Sequence, residues 1–349
     1  YVKYFVLLHI MIVSRIVLKR ALRSCIQKKT LRLDLFLSSE FHEPVMGILR
    51  KCRLKACFIS VRNVGEYADD GHKKVINAEL SVISISDTDV ATCQVVMNEA
   101  NCSGNYQLNI SCEPCEGVDL VILDYLSETF EVVETGEERL PSEPLLANYR
   151  HVYGNNPSKP PLLIREEYGS SMGGHIYDSA VVLVRCWERI CPQFQEQSSD
   201  SSFNGGGVLL ELGSGCGAVG LWLARYGDFD EVVLTDKQSL KTPTECNIAA
   251  NMSKLNQDIT TQGSVVPNLI VSSHASVTFM GLDWDSHVDL DSLFHTHFET
   301  KPLRVVLAAD VLYGQEVANA FFGVLRRLLQ KYSVVYPDRT APHIIVAQK

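Results

Sequence analysis

The segment Val208-Leu-Leu-Glu-Leu-Gly-Ser-Gly-Cys-Gly-Ala-Val-Gly220 constrains the fold of this chain more than any other. An apolar run is followed by Gly213, Gly215 and Gly217 at alternate positions, and then by Ala218 and Val219. That order reads as a strand, a tight turn and the start of a helix. Glycine has no Cβ and tolerates positive φ, so such a turn brings backbone N–H groups close to a ligand. The helix that follows presents its positive end to something polar. Downstream, Glu231-Val-Val-Leu-Thr-Asp236 reads as a second apolar strand ending in a carboxylate. Strand, glycine turn, helix, strand and acid together make the nucleotide-cofactor unit of a doubly wound α/β sheet.

Two cofactors compete for that unit. Gly215-x-Gly217-x-x-Gly220 matches the dinucleotide pattern, and Asp236 stands where a ribose-binding acid belongs. Glu211, two residues before the first glycine of the turn, speaks against a dinucleotide, because pyrophosphate and a carboxylate repel. S-adenosylmethionine carries no phosphate and has a cationic sulfonium and an ammonium group. An acid beside the turn suits it.

Two further apolar runs end in polar or aromatic residues. Ser276-Val-Thr-Phe-Met-Gly-Leu reads as a third strand running into Asp283-Trp284, which offer an acceptor and an aromatic wall to an adenine ring. Arg304-Val-Val-Leu-Ala-Ala reads as a buried strand running into Asp310-Val-Leu-Tyr313. The small Ala308 and Ala309 let a ligand approach the backbone. Ligands of open α/β sheets bind outside the carboxyl ends of the strands, and Asp236, Asp283, Trp284, Asp310 and Tyr313 all fall there. Each has a plain structural alternative. Glu211 could pair with a neighbour inside the sheet, and Trp284 and Tyr313 could be core. Asp236 could cap a helix over 239–251, and Asp310 one over 315–330.

Three of these stretches, Glu211–Gly217, Leu282–Trp284 and Ala308–Tyr313, resemble the seven-β-strand protein-lysine methyltransferases, class I enzymes that use S-adenosylmethionine. Leu282–Asp285, Ala309–Tyr313, Gly323–Leu328 and the lead-in Tyr168–Ala180 look most like the elongation factor 2 lysine methyltransferases. The resemblance covers residues 165–349. It implies a Rossmann-like doubly wound sheet in which Gly213, Ser214 and Gly215 line the methionine part of the cofactor. Asp236 would hold its ribose, Trp284 would flank its adenine, and Ala309 would touch it through the backbone. Asp310 and Tyr313 would form the wall facing the lysine. Tyr177 stands where the family has tryptophan, which changes the shape of the cofactor or lysine pocket. His343–Lys349 reads as the fifth strand, after which the family continues with a helix and a strand pair; the sheet is therefore expected to be truncated there. The implied partner is a protein bearing the target lysine, with elongation factor 2 the first choice. A monomer in the cytoplasm is expected, with no nucleic acid and no membrane.

Charge bears on partners. The first 55 residues hold 12 Lys/Arg against 3 Asp/Glu, leaving 20 against 38 for the rest, so the body is acidic and ill suited to nonspecific nucleic-acid binding. The basic start, apolar from Tyr4 to Val13, is too short for a comfortable membrane span. A mitochondrial presequence, a mispredicted start and a helix all fit it, the last two better. Eleven scattered cysteines give no disulfide framework and point to reduced thiols. Cys112-x-x-Cys115 lacks the second pair that a zinc finger needs, and no metal site is expected. His295-x-His297 is expected in a solvated polar loop.

Three regions follow: a basic segment over 1–55, a β-rich region of unknown role over 56–153, and a methyltransferase domain over 162–349. Gly154–Pro161 reads as a linker between the last two, and 198–207 as a second loop. A helix is expected over 176–190, with Ala180, Leu183, Val184 and Trp187 on one face.

Overall fold

The computed structural model describes residues 12–18, 25–26, 30–38, 53–60, 75–87, 90–97, 104–113, 120–128, 130–132, 147–167, 172–195, 206–252 and 275–348. Cys102, Cys115, most of Tyr4–Val13 and most of the 198–207 loop lie outside the described residues.

The carboxyl-terminal half is built on five parallel strands: β13 (Val208–Leu212), β14 (Glu231–Asp236), β15 (Ser276–Gly281), β16 (Leu303–Ala309) and β17 (His343–Ala347). Their order is β15-β14-β13-β16-β17, so the chain winds outward from β13 in both directions. Alternation along the strands shows that both faces are covered. Leu209, Val232, Leu234, Val305 and Leu307 pack with α1 (Asp178–Gln195) and α2 (Ala218–Tyr226), and α3 (Lys241–Met252) lends Ile248 to the same side. Leu210, Leu212, Val233 and Val306 pack with α4 (His287–Leu293) and α5 (Gln315–Val335) on the other. A strand buried on both faces reads as a continuous apolar run, which is why β13 stood out in the sequence.

The amino-terminal half is a second, larger sheet. Its strands are β1 (Ile12–Leu18), β2 (Cys25–Ile26), β3 (Thr30–Ser38), β4 (Arg53–Ser60), β5 (Val75–Ile85) and β6 (Ala91–Met97). They are joined by β7 (Gly104–Glu113), β8 (Leu120–Leu123), β9 (Tyr125–Ser127), β10 (Phe130–Val132), β11 (Ala147–Val152) and β12 (Leu162–Glu167). The main path runs β12-β11-β9-β7-β4-β5-β6-β3-β1-β8.

Two expectations are corrected here. The described residues of the basic segment are strands, not helix; Thr30-Leu-Arg-Leu-Asp-Leu alternates with period two, and Leu31, Leu33 and Leu35 all turn inward. The stretch Gly154–Pro161 does not separate two bodies. It closes a hairpin, since β11 and β12 pair antiparallel, and it packs on α2: Tyr226 donates to the Pro160 carbonyl at 2.6 Å, and Gly154 lies against the Trp222 ring. The Pro- and Gly-rich composition marked a turn correctly but not its packing. Among the described residues no helix is long and apolar enough to cross a membrane.

Candidate active site at the carboxyl ends of the parallel strands

The glycine turn is built from its backbone outward. Gly213 and Gly215 take φ of 71° and 51°, in the left-handed region that favours glycine. A Cβ on Gly213 would stand 2.8 Å from Val311 and 3.2 Å from Trp284, so the turn is also too crowded for a side chain. Gly213 and Ser214 donate to the Thr235 carbonyl at 2.9 Å, which ties the turn to β14. The Ser214 hydroxyl is buried and meets no partner among the described residues.

Glu211 is buried at the centre of β13, and its Oε2 accepts the Gly220 N–H at 2.9 Å. Burial pushes its carboxyl up to about 8, against the opposing pull of that N–H; the charge of Asp236 adds to the rise. It pairs with the first turn of α2 rather than with a side chain of the sheet. Asp236, at the end of β14, accepts the Gly215 N–H at 2.8 Å and the Lys237 N–H at 2.7 Å. Burial raises its carboxyl above the usual range while both donors resist. It makes no side-chain cap for the helix after it: the capping position there is Lys237.

Asp283 is exposed just past β15 and accepts the Asp285 N–H. Trp284 is half-buried, with its ring edge-on to Phe321 at 5.7 Å and its carbonyl held by Arg327. Ala309 ends β16. Asp310 follows it with φ of 55°, the single positive value at a non-glycine residue among the described residues. Its carboxylate faces α1, not α5: Oδ2 accepts the Ser179 N–H at 2.9 Å and Oδ1 the Ser179 hydroxyl at 2.6 Å. The expected alternative of a cap on α5 is thereby corrected, and Gly314 occupies that capping position. Tyr313 is 56% exposed and is not core. The Tyr177 carbonyl accepts the Ala180 and Val181 N–H groups and opens α1.

The residues expected to hold the cofactor or face the lysine (Tyr177, Glu211, Gly213, Ser214, Gly215, Asp236, Asp283, Trp284, Ala309, Asp310 and Tyr313) line one cavity of about 1090 Å³ at the carboxyl ends of the strands, whereas Gly217, Gly220 and Ala308 do not reach it. Sequence reasoning missed others that share it. His175 belongs to the lead-in segment, where its neighbour Tyr177 drew attention instead. Lys237 follows Asp236, Glu316 lies in the first turn of α5 and Gln348 just past β17, and none of them carries a motif. Among the described residues six acids line the cavity (Glu211, Asp236, Asp283, Asp285, Asp310 and Glu316), against Lys237 as the single lysine or arginine.

Two histidines expected in a solvated loop divide. His295 is exposed, but His297 is buried in a helical turn, with Nδ1 2.6 Å from Glu231. That partner is 66 residues away in sequence, which a local reading cannot see.

A family model for lysine methyltransferases matches residues 156–340, more than half of the chain. The chain is 31% identical over 133 residues to ribosomal lysine N-methyltransferase 5 of Vanderwaltozyma polyspora, covering 34% of this chain and 40% of that protein. It is also 31% identical over 141 residues to the human protein-lysine N-methyltransferase EEF2KMT, covering 40% of this chain and 37% of that one. The chain thus spans well under half the length of these two relatives. Sheet order, the glycine turn and the family match agree: the chain belongs to the lysine methyltransferase family.

Proposed function

We propose that the chain transfers a methyl group from S-adenosylmethionine to a lysine side chain of a protein, and that elongation factor 2 is the substrate to test first. The observation that carries this is the charge of the cavity. The five acids other than Glu211, which keeps its proton, would together with one lysine repel the pyrophosphate of a dinucleotide, and they favour a sulfonium, an ammonium and an incoming lysine. The residues present also fit the cofactor's neutral parts. The unpartnered Ser214 hydroxyl and the crowded Gly213–Gly215 backbone would hold its methionine portion, with Glu211 nearby. Asp236 would accept from the ribose hydroxyls with the lone pairs its two backbone donors leave free. Trp284 would flank adenine and Asp283 would accept from its amine, while Tyr177 and Ala309 close the sides.

When bound, the cofactor supplies an electrophilic methyl on sulfur. The chain's part is to deliver a neutral amine to it in line. Free lysine has a pKa of about 10.4, so the site has to attract an ammonium and then favour its neutral form by desolvation and nearby positive charge. Asp310 would dock the amine and receive the proton it sheds, and the exposed Tyr313 would form the wall that aims it. The name of the yeast relative favours a ribosomal protein as a second substrate class. With either substrate the chain would act in the cytoplasm, and as a monomer.

Calorimetric titration with S-adenosylmethionine, with NAD as control, tests the cofactor. Saturable binding of the first alone is expected, weakened about tenfold or more by Asp236→Ala through loss of a charged acceptor. NAD binding in its place would overturn the assignment. Mass spectrometry of purified elongation factor 2 and of ribosomes after incubation then separates the two substrates.

A further inference from the structure

We propose that Ser179 and Gln348 are positioning residues that fix the Asp310 carboxylate and the turn Asp310–Tyr313 on the lysine side of the cavity. The inference rests on the function proposed above and deepens it. Asp310 sits in a left-handed backbone conformation that costs a non-glycine residue energy, so something must hold it there. Its backbone is held by the sheet, where its N–H donates to the Ala347 carbonyl at 2.9 Å. Its side chain is held from two other directions. From α1, Ser179 donates both its N–H and its hydroxyl, one to each carboxylate oxygen. From the end of β17, the Gln348 amide donates to Oδ1 at 3.3 Å.

Gln348 has a second task. Its Oε1 accepts the Leu312 N–H at 2.9 Å, so one amide spans both the side chain at the start of the turn and the backbone near its end. Elements far apart in the chain, α1 and β17, therefore converge on a four-residue turn that carries Asp310 and the exposed Tyr313 into the cavity. Three donors occupy most of the roughly four lone-pair sites of a carboxylate. What remains is a single, fixed direction of acceptance toward the cavity, which is what in-line delivery of an amine requires.

Two cofactor analogues read this out without a protein substrate. S-adenosylhomocysteine lacks the methyl group and the positive charge. Sinefungin carries a primary ammonium where the methylsulfonium stands, aimed toward the incoming lysine. Their affinities are measured by calorimetry on the full chain, together with thermal unfolding. The wild-type chain is expected to prefer sinefungin by about tenfold, the value of one charge-assisted hydrogen bond. Ser179→Ala, which keeps the N–H but loses the hydroxyl, and Gln348→Ala, which removes the donor to Asp310 and the acceptor of the Leu312 N–H without adding a charge, should bring that ratio close to one. Ser179→Thr should restore it. S-adenosylhomocysteine affinity should barely move, while the melting temperature falls by no more than the few degrees that one lost hydrogen bond accounts for. A preference unchanged in both variants, absent from the wild type, or lost only along with S-adenosylhomocysteine binding overturns the positioning role. Failure of the folded wild-type chain to bind either analogue overturns the functional reading beneath it, and the positioning role falls with it.

Discussion

Glu211 shows what a single buried acid does to a fold. It is 2% exposed in a strand whose other residues are all apolar, and the Gly220 N–H donates to its carboxylate. In the unfolded chain it ionises near 4.3; in the folded chain it keeps its proton up to about 8. Between those values the folded state binds more protons than the unfolded one, so stability falls as pH rises, by at most about 1.4 kcal/mol per pH unit, and levels off above the folded value. Glu211→Gln imitates the protonated carboxyl and still offers an oxygen to Gly220. Urea unfolding at pH 5 and pH 8 should show the slope in the wild type and its loss in the variant, which should be the more stable of the two at pH 8. Equal slopes would mean that Glu211 is ionised in the fold.

At the scale of elements, two asparagines of α3 finish an edge of the larger sheet. β12 ends the main path of that sheet, and among the described residues no strand pairs with its outer side. Asn247 accepts from the Arg165 N–H and donates to the Arg165 carbonyl; Asn251, one turn later, does the same for Leu163. Residues four apart on a helix thus meet residues two apart on a strand and stand in for a neighbouring strand. Asn247 also donates to the Cys216 carbonyl at 3.1 Å and so braces the glycine turn. Asn247→Leu would leave the buried Cys216 carbonyl and the half-buried Arg165 N–H and carbonyl unpaired, at about 1–3 kcal/mol for each group that water does not reach. A loss of about 2–5 kcal/mol by urea unfolding is expected, with a smaller loss for the half-buried Asn251→Leu. A loss under about 1 kcal/mol at Asn247 would show that water replaces the amide.

None of this was legible in the chain, where both asparagines read as ordinary polar helix residues. The parallel strands were legible because burial on both faces writes itself locally, as in Val208–Leu212, and because β14, β15 and β16 run into Asp236, Asp283-Trp284 and Asp310. The site was legible for the same reason. What escaped was whatever depends on distant pairing: β1 beside β8, His297 on Glu231, and Gln348 on Asp310.

Across the whole molecule, one carboxylate joins the larger sheet to the cavity. Glu166 of β12 accepts from Arg150 of β11 at 2.8 Å and from the Asn148 amide, and its other oxygen accepts the Ile176 N–H at 2.9 Å. Ile176 and its neighbour Tyr177 line the cavity. Arg150 in turn donates at 2.6 Å to the carbonyls of Ile16 and Asp124, so β1 and the segment before β9 are drawn into the same network. Both charged groups are almost fully buried. Removing one partner of such a pair strands the other, at about 3–5 kcal/mol. Glu166→Ala should therefore lower the unfolding free energy by that amount. It should also free the Ile176 N–H and loosen the lead-in to α1, weakening S-adenosylmethionine binding at a temperature where the variant is still folded. Glu166→Gln, which keeps one acceptor oxygen for the Ile176 N–H but turns its amide NH2 toward Arg150, should recover part of the affinity and less of the stability. If stability falls while affinity holds in both variants, the pair supports the larger sheet alone, and the cavity wall is set by the Asp310–Ser179 contact at the other end of that segment.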